Sequence, residues 1–400
     1  MSRRLLLCLI AAALLFGAAP AGAGETERTW RESYTAAGNP GLPEATVAAF
    51  DRAFAGDSTA EEPDRMLALI SVRAARAAYR ESDAFGFLSS LGFQDLAGYD
   101  IESGEHTAGH YFGVKILRLG DREIPLFAAV LRGTNGTRAE WRSNFTPGEG
   151  EVHEGFSLAA EKIGSDLEKY IESFYKTADP KISRTDFRLW ITGHSRGAAC
   201  GNILAARCAL APPEHIYAYL FAVPGTTKKP VAYPYIRNFN YAGDMITRLP
   251  PAEYGYGRYG LDYLNDNTEE FYGEKVARGA DVDLVIRLIC ESFPELRDCI
   301  RAADEIFDHL NENAEKLFSL ESLNLDSYRF VMGLVKKLLA ESRRGEETTD
   351  GKPLTEAVDG ARDAWLASDG RITKLFKLHK AYMYEIGMND LGRWEKQPSD

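Results

Sequence analysis

The sequence predicts an α/β architecture, a mostly parallel sheet with helices on both faces, from three features. Short apolar runs of strand type alternate with longer segments of helical period between residues 110 and 241. One of these runs, 187–192, leads through Gly193-His194-Ser195-Arg196-Gly197 into a helical pattern, the signature of a sharp strand–turn–helix corner. From about Asp281 to Ser368 the pattern turns almost continuously helical, which reads as an insertion into the alternation.

In chain order, Ser2-Arg3-Arg4 supplies a positive start, 5–19 is a 15-residue apolar run, and Ala21-Gly22-Ala23 is a small-residue cleavage site. A bilayer span needs roughly 20 apolar residues. Residues 1–23 are therefore expected to be a signal peptide cut after Ala23, giving a secreted or periplasmic protein. The 400 residues are 45% hydrophobic and 26% charged, the composition of a folded chain. The net charge is −12, and −14 without Arg3 and Arg4. Such an acidic balance repels phosphate backbones, so no nucleic-acid partner is expected.

Helical patterns are expected near 44–55 and 63–81, and strands at 110–119 and 124–131 flank the turn Gly120-Asp121-Arg122-Glu123 as a hairpin. A helix over 155–175, the strand 187–192, a helix from Gly197 to Pro212, and strands at 215–223 and 235–241 complete the alternation. The expected domains are a core of 24–254 with 371–400 and a largely helical cap of 255–370. In 294–320 the residues Leu296, Cys299, Ile300, Ala303, Ile306, Phe307, Leu310, Ala314, Leu317 and Phe318 form one apolar stripe of helical period.

Past Cys8, the cysteines are Cys200, Cys208, Cys290 and Cys299. Cys200 and Cys208 fall in one predicted helix, where eight residues rise about 12 Å, beyond disulfide reach, so they are buried thiols or pair elsewhere. Phe293-Pro294 lies between Cys290 and Cys299, where a proline can open a new helix and set the pair across a corner. A disulfide between those two stays open on this reading.

The corner at 193–197 presents Ser195 at its apex, and its glycines let strand and helix approach closely. A serine hydroxyl is a weak nucleophile near neutral pH and needs a histidine base held by a carboxylate. On this α/β-hydrolase corner the chain order is serine, acid, histidine. Asp244 follows the strand 235–241, where a carboxylate can reach the ligand crevice; its alternative is an Asp that caps a turn. Beyond it come His309, inside the amphipathic helix and off its stripe, and His379, which is left as the base. The anionic intermediate requires fixed donors. The Arg196 amide should be one, and Thr134 in Arg132-Gly133-Thr134, after the strand 124–131, the other.

Together these residues resemble the class 3 lipases, the fungal-type triacylglycerol lipase family of the α/β hydrolases. The resemblance rests on 130–134, on Val152-His153-Glu154-Gly155-Phe156, on the corner 193–197, on Phe221-Ala222-Val223-Pro224-Gly225, on 244–250, and on His379 with Tyr382. It implies Ser195 as nucleophile, Asp244 as acid, His379 as base and Thr134 with Arg196 as oxyanion donors. His153 and His194 sit in motif positions without catalytic duty. The chain departs from the pattern in three ways. Arg196 replaces an apolar residue and Ala198 a glycine; the segment corresponding to a lid, 137–145, is polar; and 134 residues separate Asp244 from His379, room for a cap over the crevice.

The expected activity is cleavage of carboxylic esters through an acyl-enzyme, with no metal or organic cofactor and an ester or lipid as substrate. Phospholipase A or acyltransferase chemistry would use the same triad, and a non-catalytic binding protein would use the cap as a docking surface. With a lipid substrate, transient contact with a lipid interface is expected.

Overall fold

In the computed structural model the sheet is built outward from the expected hairpin. The structure describes residues 42–102, 104, 106–134, 140, 143–144, 146–242, 244–250, 254–265, 381, 384, 388 and 394–397. Strands β2 (His110–Leu119) and β3 (Arg122–Leu131) pair antiparallel, with Leu119 opposite Arg122 across a tight turn. Gly120 sits in that turn at φ 63°, a left-handed conformation that only glycine adopts without cost.

From β3 the sheet runs parallel through β4 (Arg188–His194), β5 (Ile216–Phe221), β6 (Ile236–Tyr241) and β7 (Leu261–Asn265). Antiparallel strands close both ends: β1 (Gln94–Tyr99) beside β2, and the two-residue β8 (Glu395–Lys396) beside β7. The eight strands lie in sequence order. This mixed, mostly parallel order is the expected α/β-hydrolase-like sheet. Because β7 lies between 255 and 370, the sheet extends past residue 254. Residues 266–380, the proposed Cys290–Cys299 pair and the helical pattern of 294–320 included, lie outside the described residues.

Both sheet faces carry helices, and the alternation along β4 shows how. Every β4 residue is buried, as expected of a strand covered on both sides. Leu189 and Ile191 face a core shared with α4 (Glu154–Thr177) and α5 (Arg196–Arg207), through Phe156, Ile163, Leu167 and Ile203. Trp190 and Thr192 point the other way. There the Trp190 indole N–H donates to Ser71 Oγ at 2.8 Å and the Thr192 hydroxyl to the Ser71 carbonyl at 3.0 Å, both on α2 (Arg65–Ala77). Helix α1 (Glu44–Ala53) is tied to β2 by the buried Lys115, whose Nζ donates to Asp51 at 2.7 Å and to the Leu91 carbonyl at 2.6 Å. The helix expected over 63–81 is α2, and a further helix not expected from the sequence, α3 (Glu81–Ser90), follows after Ala78, Tyr79 and Arg80. Cys200 is buried and Cys208 partly buried, and both are free thiols. No helix among the described residues is long and apolar enough to cross a membrane.

Candidate active site

Parallel strands end together at one edge of a sheet, so residues just past their carboxyl ends share a crevice. Thr134 lies three residues past β3, Ser195 one past β4 and Asp244 three past β6. His379 lies outside the described residues.

Ser195 occupies φ 58°, ψ −126°, a strained conformation for a residue with a side chain, at the hinge between β4 and α5. Its amide donates to the Phe221 carbonyl at 3.0 Å and its carbonyl accepts from Ala199 at 2.9 Å, so both strand and helix ladders engage the hinge residue. The corner depends on its two glycines. A Cβ at Gly193 would lie 2.7 Å from the Gly197 carbonyl carbon, and one at Gly197 would run into the Leu131 carbonyl oxygen. Arg196 is the first residue of α5, and its amide is among those a helix leaves without an intrahelical acceptor.

The Arg196 side chain turns inward, away from any incoming substrate. It is buried and donates to Asn144 Oδ1 at 2.7 Å, to Ser143 Oγ at 3.0 Å and to the Thr107 carbonyl at 3.0 Å, with the Phe156 ring 5.8 Å away. Neutral groups thus hold this cation. Asn144 in turn donates through Nδ2 to Thr134 Oγ1 at 2.9 Å. One amide therefore links the expected oxyanion threonine to the residue after Ser195. Asn144 and Ser143 belong to the polar segment 137–145, as does the fully buried Glu140, which receives Arg132 at 3.4 Å. The polarity of that segment serves two buried guanidinium groups.

Beneath the corner, Tyr79 Oη and His194 Nδ1 lie 2.8 Å apart in a hydrogen bond. Burial, reinforced by the Glu140 charge, holds the Tyr79 hydroxyl well above its ordinary value, so it stays protonated. Gly133 is needed here, since a Cβ would overlap Tyr79 Oη. His153, buried at the start of α4, stacks on Phe156 with centroids 3.9 Å apart, and burial with Arg196 nearby pushes it down to about 3. His153 and His194 thus take packing and hydrogen-bonding roles, as their motif positions imply.

Asp244 is fully buried. Its Oδ1 accepts from the Ile246 amide at 2.9 Å, the turn-capping bond considered from sequence, while Oδ2 accepts from the Tyr384 hydroxyl at 2.7 Å. Tyr384 Oη also accepts from the Tyr241 amide at 3.1 Å. Desolvation and the Asp244 charge raise the Tyr384 hydroxyl far above its usual value, so it remains a donor. Its ring lies 5.8 Å from that of His194, between the corner and the acid. Tyr384 and Asn144 carry no motif of their own and only the fold reveals them.

Residues 129–254 match the family model described as lipase (class 3). Among solved structures the chain is similar to the triacylglyceride lipase of Rhizomucor miehei, with 16% identity over 51% of this chain and 81% of that one and a TM-score of 0.37. It is also similar to lipase II of Rhizopus niveus, at 17% identity, 50% and 80% coverage and a TM-score of 0.35. A lipase from Rhizopus microsporus var. chinensis matches at 19%, 49%, 72% and 0.33. Overlaps this low leave the fold assignment resting on sheet order and the corner. The family match spans the β3 end, the corner and the acid segment, and over residues 129–254 the chain is similar to the class 3 lipases.

Proposed function

We propose that the chain is a secreted lipase or esterase that works through an acyl-enzyme on Ser195, with His379 as base and Asp244 as the carboxylate orienting it. The observation that carries this reading is the strained backbone of Ser195 at the β4–α5 hinge, on the same sheet edge as Asp244. His379 would take the proton of Ser195 Oγ as the oxygen attacks the ester carbonyl, then return it to the leaving alcohol. Water would repeat the cycle to release the acid. The amides of Arg196 and Thr134 would receive the carbonyl oxygen as it becomes anionic. Asp244 suits its role because the Ile246 amide and the Tyr384 hydroxyl hold its carboxylate in a fixed orientation.

The part of 255–370 beyond β7 is proposed as a helical cap over the crevice, and residues 1–23 as the export signal, which an intact mass beginning at Gly24 would verify. The hydrolytic reading is tested with a fluorophosphonate probe on the purified protein. Wild type should label stoichiometrically and Ser195→Ala should not. Failure of wild type to label, or labelling that survives Ser195→Ala, overturns it.

A further inference from the structure

A second group of titratable side chains lies where the edge strands meet α4, outside the machinery described above. Asp100 directly follows β1, His110 begins β2, and Asp166 lies in the middle of α4. One ligand atom from each lies within 4.8 Å of the other two. His110 is fully buried, and its ring is fixed by stacking on Tyr99, with centroids 5.3 Å apart and planes 10° apart.

The hydrogen bonding of His110 determines what the group lacks. Its Nδ1 lies 2.8 Å from the Ala108 carbonyl, which can only accept, so Nδ1 carries the proton. In the neutral ring Nε2 is then a bare lone pair; it has no hydrogen-bond partner and faces Asp166 Oδ2 at 3.6 Å. Two acceptors aimed at each other in a desolvated site repel unless a cation lies between them. Lys162 supplies a half-exposed cation from the solvent side, hydrogen-bonded to Asp166 Oδ2 and 3.6 Å from Asp100 Oδ2, but it is the carboxylates that it meets and Nε2 of His110 stays without a donor.

We propose that Asp100, His110 and Asp166 form a binding site for a divalent cation of the zinc class, in which the Lys162 ammonium stands in when the ion is absent. An imidazole nitrogen with two carboxylate oxygens is a donor set suited to Zn²⁺, and a backbone carbonyl on the far ring nitrogen is the usual support for a ligating histidine. Two ligands at about 2.1 Å from one tetrahedral ion lie about 3.4 Å apart, close to the 3.6 Å between His110 and Asp166. Asp100, partly exposed, completes the set with a carboxylate oxygen within 4.8 Å of the other two ligand atoms. The ion would pin the β1–β2 edge to α4 and takes no part in ester cleavage.

The test uses the full chain stripped with EDTA and titrated with Zn²⁺ by calorimetry, with thermal midpoints alongside. Two substitutions at accessible positions carry it. Asp100 sits at φ 49°, which asparagine tolerates well, so Asp100→Asn removes a charge and a ligand without backbone strain. Lys162→Met removes the competing ammonium. Zn²⁺ should bind wild type and raise its midpoint, bind Asp100→Asn roughly tenfold or more weakly, and bind Lys162→Met roughly tenfold or more tightly. Zinc binding that neither substitution alters belongs to other side chains and overturns the proposal, as does the absence of saturable binding in Lys162→Met.

Discussion

Asn144 and Tyr384 each place one hydrogen bond on a residue of the proposed site, Thr134 and Asp244. Asn144 bridges the Arg196 guanidinium and the Thr134 hydroxyl. Asn144→Ala should release Thr134 and lower kcat by roughly tenfold to a hundredfold with little change in KM, since an oxyanion donor acts mainly on the transition state. Steady-state kinetics on a soluble short-chain ester measures this directly. Tyr384→Phe keeps the ring and removes the donor to Asp244. A hydrogen bond to a charged group contributes about 1.5–3 kcal/mol, so kcat should fall about tenfold or more, while fluorophosphonate labelling still occurs, only more slowly. Neither residue was legible in the sequence, because each acts through a partner reached only by folding: Tyr384 is separated from Asp244 by 140 positions. The positions of Ser195, Asp244 and Thr134 just past strand ends were legible because a strand-end motif announces itself locally. The place of Arg196 at the start of a helix was legible, but not the inward course of its side chain, whose partners come from Thr107, Ser143 and Asn144.

Among the elements, the corner between β4 and α5 is the most constrained. At Gly197 an added methyl would meet the Leu131 carbonyl and the Arg132 backbone, neither of which can swing aside as a side chain can. Gly197→Ala should cost at least about 1–3 kcal/mol and abolish labelling of Ser195, read by urea denaturation and by the probe. The elements that were legible share one property, a run of apolar residues with the period of its class. β2 and β3 were placed within two residues because both alternate around an evident turn. β1 was missed because Gln94-Asp95-Leu96-Ala97-Gly98-Tyr99 has no such run, and its register shifts between Gln94 and Ala97 with Asp95 at φ 49°. Similarly, β8 is two charged residues long and is defined only by its neighbour.

For the molecule as a whole, buried titratable groups set how stability responds to acid. His153 is held neutral down to about 3 in the fold, whereas in the unfolded chain it takes up a proton near 6.5. Between those values the unfolded state binds more protons, so this group lowers stability as pH falls from 6.5 towards 3, by up to about 1.4 kcal/mol per unit. His153→Phe should flatten that part of the curve relative to wild type, measured as the difference in denaturation free energy between pH 7 and pH 4.5. Cys200 is likewise sealed, its thiol raised to about 11 by burial, and should resist iodoacetamide until the protein is unfolded, as followed by mass spectrometry.

The segment holding Tyr384 and Trp394 also governs timing. Their rings pack on Tyr241 at the end of β6, and the short strand after them pairs with β7. During synthesis, everything from Thr134 to Asp244 leaves the ribosome well before the tyrosine that steadies the acid. A nascent chain can therefore assemble most of its sheet while its carboxylate still lacks that anchor, and ester cleavage would begin only after these late residues have docked.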